Sequence, residues 1–100
     1  MLFAGVDLGA VSVKAALLGF GARHGEAADD RQLVRDLSGS SDLWCPQPLE
    51  FRLRDGDDAA VAVAQVRRTR GRPVDAAREL LEQLLLALDG RGLDGLRVTG

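Results

Sequence analysis

Two apolar runs joined by a glycine turn open the chain and restrict its fold more than any other feature. Leu2 to Leu8 is almost continuously apolar, the pattern expected of a strand covered on both faces. Gly9 and Ala10 permit a tight turn, and Val11 to Leu18 is a second β-rich run ended by Gly19 and Gly21. So short a connection predicts a β-hairpin. One carboxylate, Asp7, interrupts the first run, and the only lysine of the chain, Lys14, lies in the second. An ionised carboxylate in a buried strand is costly without a partner. A divalent metal, alone or carrying phosphate, is a partner that also accounts for the neighbouring glycine and lysine.

The chemistry behind that expectation is simple. Backbone N–H groups in a glycine turn can converge on phosphate oxygens. Mg²⁺ takes one or two carboxylates plus water and phosphate, so Asp7 suits its hydration shell. Lys14, on the return strand, would reach a β- or γ-phosphate. The same residue types also suit a plain hairpin, with Asp7 capping the turn and Lys14 solvated at an edge, and both readings stay open on the residues alone.

At 100 residues the chain makes one small domain, and 46% hydrophobic with 28% charged residues excludes a disordered composition. The net charge of −2 and the four scattered aromatics, Phe3, Phe20, Trp44 and Phe51, argue against a nucleic-acid surface. No apolar stretch reaches membrane-spanning length, and the first residues lack the basic flank and cleavage site of a signal peptide. Cys45, the single cysteine, has no partner for an internal disulfide, so a reducing, cytoplasmic setting is expected. The same solitude argues for a structural thiol rather than a metal ligand, and His24, alone in a glycine-rich loop, is assigned no catalytic role.

Beyond the hairpin, residues 20–48 form the least regular stretch, an insertion or a long connection. Within it, Asp29 to Leu37 suits a short helix with Asp29 or Asp30 as N-cap. Leu49 to Arg54 alternates cleanly, placing Leu49, Phe51 and Leu53 inward, and Asp55-Gly56 signals a turn into a strand from Ala59 to Arg68. Gly71-Arg72-Pro73 starts a helix with Asp75 in its first turn, an apolar stripe at Val74, Ala77, Leu81, Leu84, Leu85 and Leu88, and Gly90 as its stop. Leu96 to Thr99 is a last strand ending at Gly100. The resulting β-β-(irregular)-β-β-α-β order predicts a mixed α/β sheet with a helix on one face and the last strand parallel to an earlier one. Arg67, Arg68, Arg70 and Arg72 read as a solvated strand end or, secondarily, as a docking surface for an acidic partner or a CoA phosphate. An exposed part of the leucine stripe would drive homodimerisation.

Gly5-Val6-Asp7-Leu8-Gly9, followed by Ser12, Lys14 and an apolar strand, resembles the first phosphate motif of the actin-like ATPases, the superfamily of actin, sugar kinases and the large heat-shock chaperones. The Asp-x-Gly-x4-Lys spacing, together with Arg68-Thr69-Arg70-Gly71-Arg72-Pro73, the leucine-rich helix and Val98-Thr99-Gly100, is most similar to the activator ATPases of 2-hydroxyacyl-CoA dehydratases and benzoyl-CoA reductases, the CoA-substrate-specific enzyme activases. The resemblance covers about seventy residues and omits 20–48.

The resemblance implies an RNase H-like subdomain in β-β-β-α-β order, with ATP and Mg²⁺ as ligands. Asp7 would organise Mg²⁺ through water, Gly9 would form the phosphate turn, and Ser12 and Lys14 would contact phosphate. Thr99 and Gly100 would line the nucleotide cleft. Ala10 and Val11 depart from the pattern, since the family usually has serine or threonine there. The second phosphate loop and the adenine-binding glycines of such ATPases lie downstream, so residues 1–100 read as a truncated N-terminal piece, catalytically inactive alone. The parent would couple ATP hydrolysis to electron transfer into a dehydratase or reductase, with iron–sulfur ligands supplied from a later region. Two alternatives accompany this: a sugar-kinase-like member of the superfamily, and a scaffold module without nucleotide chemistry.

Overall fold

A computed structural model of the protein describes residues 1–20, 25–54 and 56–100. Its elements are β1 (Leu2–Leu8), β2 (Ser12–Phe20), α1 (Gly25–Leu37), β3 (Leu49–Arg52), β4 (Asp58–Val63), β5 (Arg67–Arg68), α2 (Pro73–Ala87) and β6 (Gly95–Thr99). Among the described residues the strands form one mixed sheet in the order β3-β4-β2-β1-β6, with β5 paired to the start of β2. β1 and β2 pair antiparallel from Leu2↔Gly19 to Leu8↔Val13, and β6 runs parallel to β1 from Phe3↔Gly95 to Asp7↔Thr99. The mixed sheet and the parallel last strand are as expected. Gly21, His24 and Asp55, each invoked from the sequence, lie outside the described residues.

Alternation decides what is buried. Leu2, Ala4 and Val6 of β1, Val13, Ala15 and Leu17 of β2, and Ala60 and Ala62 of β4 point to one face and form a single core with Val34 of α1 and Leu80, Leu84 and Leu88 of α2. Both helices therefore cover the same face. Small residues let them approach: a Cβ at Gly19 would lie 2.6 Å from the Asp30 carbonyl oxygen, so glycine at this point of β2 seats α1 against the sheet. The opposite face, with Phe3, Leu18 and Phe20 half-buried and Asp7 and Lys14 exposed, carries no helix among the described residues. The expectation that β1 is covered on both faces is thus corrected, and the argument that Asp7 bears a burial cost goes with it.

Other expectations are corrected as well. The segment read as irregular contains the thirteen-residue helix α1, which starts at Gly25. Asp29 and Asp30 therefore lie inside the helix rather than at its N-cap. Asp30, only 4% exposed, turns its carboxylate to tertiary partners. The Met1 amine lies 2.8 Å from Oδ2, and Arg91 donates from Nε to Oδ1 and from Nη2 to Oδ2 at 3.1 and 2.9 Å. Trp44, in the same segment, is 2% exposed and forms an isolated bridge with Ala64.

β3 is an exposed edge strand: Leu49 and Phe51, expected to face inward, are 58% and 47% accessible, and Glu50 and Arg52 on its other side are exposed as well. The long strand expected over Ala59–Arg68 divides into β4 and β5, with Ala64 to Val66 between them. α2 starts at Pro73 and stops where Asp89 and Gly90 take φ of 49° and 88°, as its punctuation predicted. Its buried stripe is Ala76, Leu80, Leu84 and Leu88; Val74 and Leu85 are exposed, and Ala77 and Leu81 only half-buried. Leucines at 80, 81, 84, 85 and 86 occupy both sides of this helix, so periodicity alone does not pick the buried one. No described helix is long and apolar enough to cross a membrane.

Candidate functional site

The antiparallel register sets Asp7 directly opposite Lys14, and the parallel register sets Thr99 on the other side of Asp7. Alternation directs Asp7, Ser12, Lys14 and Thr99 to the open face, beyond the apolar patch of Phe3, Leu18 and Phe20. Thr99 Oγ1 donates to Asp7 Oδ1 at 3.1 Å. Lys14 makes no ion pair among the described residues, although its cross-strand partner is a carboxylate. A shallow depression of about 340 Å³ joins Asp7, Lys14 and Thr99 to Gly5, Ala16 and Arg97, and Ser12 does not line it. Arg97 has no place among the sequence-derived candidates, but it alternates with Thr99 in β6, and that spacing carries the signal for its facing the same way.

Gly9 and Gly100 act through close approach. A Cβ at Gly9 would lie 2.7 Å from the Ser12 carbonyl oxygen, and one at Gly100 would lie 2.0 Å from that of Leu8. Gly9 N–H already donates to Ser12 O at 2.9 Å inside the hairpin, so it is not aimed at a ligand. The turn carbonyls are also engaged: Ala10 O accepts from Thr69 Oγ1 at 2.8 Å, and Val11 O accepts from Thr69 N–H at 2.9 Å. The turn thereby hangs from the segment that leads into α2.

A cation fits this corner only in part. Asp7 offers a solvent-facing carboxylate with one oxygen taken by Thr99, enough for one carboxylate contact to hydrated Mg²⁺ but not for an all-protein cage. The described residues contain no group of three His, Cys, Asp or Glu side chains placed to hold a metal. The half-buried Cys45 is one thiol, and a single thiol is no cluster ligand set. What the corner can do is pair a carboxylate, an ammonium and a guanidinium with a phosphate and its metal.

A second cavity, about 740 Å³, lies elsewhere, beside β5 and the first turns of α2. Compared with protein-family models, curated proteins and solved structures, the chain has no match in any of the three.

Proposed function

We propose that this chain forms the strand-and-turn wall of a nucleotide site in an actin-like ATPase of the activator type, with an RNase H-like sheet. ATP hydrolysis in such a protein drives electron transfer into a CoA-ester dehydratase or reductase. The observation that carries the reading is the convergence of Asp7, Lys14 and Thr99 on one face where β2, β1 and β6 lie side by side. The family resemblance of the Asp7–Lys14 motif adds to it, as does a sheet in which β1 sits between an antiparallel and a parallel neighbour.

In this reading Asp7 orders the hydration shell of Mg²⁺, Lys14 meets a phosphate, and Ser12 and Arg97 flank it. The metal, when bound, neutralises phosphate charge. The chain by itself is not expected to hydrolyse ATP. A reducing, cytoplasmic setting belongs to the same reading and rests on the lone cysteine. Homodimerisation belongs to it too, supported by the apolar open face around Phe3, Phe20 and Phe51.

Calorimetric titration with Mg·ATP tests the site. Wild type should bind, and Asp7→Ala should bind at least about tenfold more weakly, the loss of one charge-assisted contact. Equal binding by the two would remove the phosphate role of Asp7. A second reading, a scaffold without nucleotide chemistry, draws on the turn itself: Ala10 and Val11 bring no hydroxyls, Val11 is 68% exposed, and the Gly9 amide is occupied. Absence of Mg·ATP binding by wild type would favour it.

A further inference from the structure

We propose that the cavity between β5 and the first half of α2 binds a small phosphorylated molecule carrying at least two adjacent anionic groups, a diphosphate being the simplest case. Its volume of about 740 Å³ falls within the usual size of small-molecule pockets. Its charge is unlike that of the rest of the molecule. Arg67, Arg68, Arg70, Arg72 and Arg78 line it against the carboxylates of Asp42, Asp75 and Glu79, five positive charges against three in a chain of net charge −2.

Those charges are not used up internally. Arg67 is engaged, donating from Nη2 to Gln83 Oε1 at 2.6 Å and lying 3.8 Å from Glu79. Arg68, Arg70, Arg72 and Arg78 are exposed and make no ion pair among the described residues. Four guanidinium groups around one concavity repel one another in the empty site, and an anion seated among them removes that repulsion. The planar fork of each guanidinium pairs bidentately with two oxygens of one phosphoryl or carboxylate group, and several such forks around one concavity suit an anion that offers adjacent groups of oxygens, as a diphosphate does.

The mount is rigid where such a site needs it. Thr69, 4% exposed, is tied by its N–H and hydroxyl to Val11 and Ala10, and Arg72 N–H closes the turn onto Thr69 O at 2.9 Å. Between them Arg70 takes a φ of 50° and Gly71 one of 78°. A side-chain-bearing residue in the left-handed region persists where its surroundings hold it, here the tethers of Thr69 on one side and the start of α2 on the other. Leu43, Val66 and Ala76 supply an apolar wall. The wall suits an organic moiety attached to the phosphates.

The site does not depend on the nucleotide reading of Asp7, which faces the opposite side of the sheet. Titration of the full chain with pyrophosphate, in metal-free buffer at physiological ionic strength, should show saturable one-to-one binding with amide shifts centred on residues 65–79. Arg68→Gln and Arg78→Gln should each weaken it about tenfold. Arg52→Gln, remote in the β3–β4 hairpin, and Asp7→Ala should leave it unchanged. Far-UV circular dichroism identical to wild type confirms that each variant is folded. Absence of saturable binding overturns the proposal, and so does equal weakening by Arg52→Gln, which would mean unspecific attraction. Loss of binding in Asp7→Ala would put the pyrophosphate on the open face and overturn it as well. The Mg·ATP experiment is told apart by the same variants: Mg·ATP held on the open face weakens with Asp7→Ala and not with Arg68→Gln, whereas Mg·ATP held in the cavity weakens with Arg68→Gln and not with Asp7→Ala.

Discussion

Asp30 shows how one residue can hold distant parts of a fold together. It sits within α1, yet it binds the Met1 amine and Arg91, which also reaches Asp94, whose carboxylate accepts from Leu2 N–H at 2.8 Å. Burial would raise the Asp30 pKa, but the hydrogen bonds and charges of Arg91 and the amine outweigh it, so the group lies below its ordinary 3.8. Asp94 is lowered too, first by the Leu2 amide and then by Arg91. A carboxylate depressed in the folded state contributes stability above its unfolded pKa and loses it as pH falls through the folded value. Denaturant melts should therefore show wild type losing stability below about pH 4. Asp30→Asn should be less stable by about 1–3 kcal/mol at neutral pH and flatter across the acid range. This carboxylate could not be read correctly from sequence, because an aspartate next to an apolar helical run looks like an N-cap until its tertiary partners are seen.

At the scale of the element, α2 separates what its residues state locally from what only packing decides. Pro73 at its first turn, Asp75 behind it and Gly90 beyond its end were readable because each acts on its own backbone. The buried side was not readable, since five leucines in seven positions satisfy more than one stripe. Leu80 and Leu84 are fully buried, whereas Leu86 is 79% exposed. Thermal and chemical denaturation should accordingly show Leu80→Ala destabilising by about 2–5 kcal/mol and Leu86→Ala by less than about 0.5 kcal/mol. β3 repeats the lesson. Its Leu-Glu-Phe-Arg alternation was legible, but the absence of burial on either side was not, because all four residues are exposed at an edge whose cover is a property of the whole layer arrangement.

At the scale of the molecule, two helices and six strands make a two-layer domain with one face closed and one open among the described residues. The residue pattern carried the hairpin and the parallel last strand, and with the hairpin the facing of Asp7 and Lys14, since cross-strand register and alternation follow from local spacing; Ser12 and Thr99 enter only through the family resemblance. It did not carry the arginine cavity as a cavity, which needs the Thr69 tether to the first turn, nor the place of Arg97. The same topology bears on the order in which the fold assembles. β1 meets β2 across the three residues 9–11, while its other edge waits for β6, some 92 residues away. Closing so long a loop costs entropy before any contact repays it. Val98→Gly in β6 should therefore speed unfolding and leave the folding rate nearly unchanged in stopped-flow measurements; a matching drop in folding rate would place β6 in the nucleus. Until that last pairing forms, one whole side of β1 offers bare backbone donors and acceptors. The early life of this protein thus contains an interval in which its first-formed hairpin is a template for a stranger's strand.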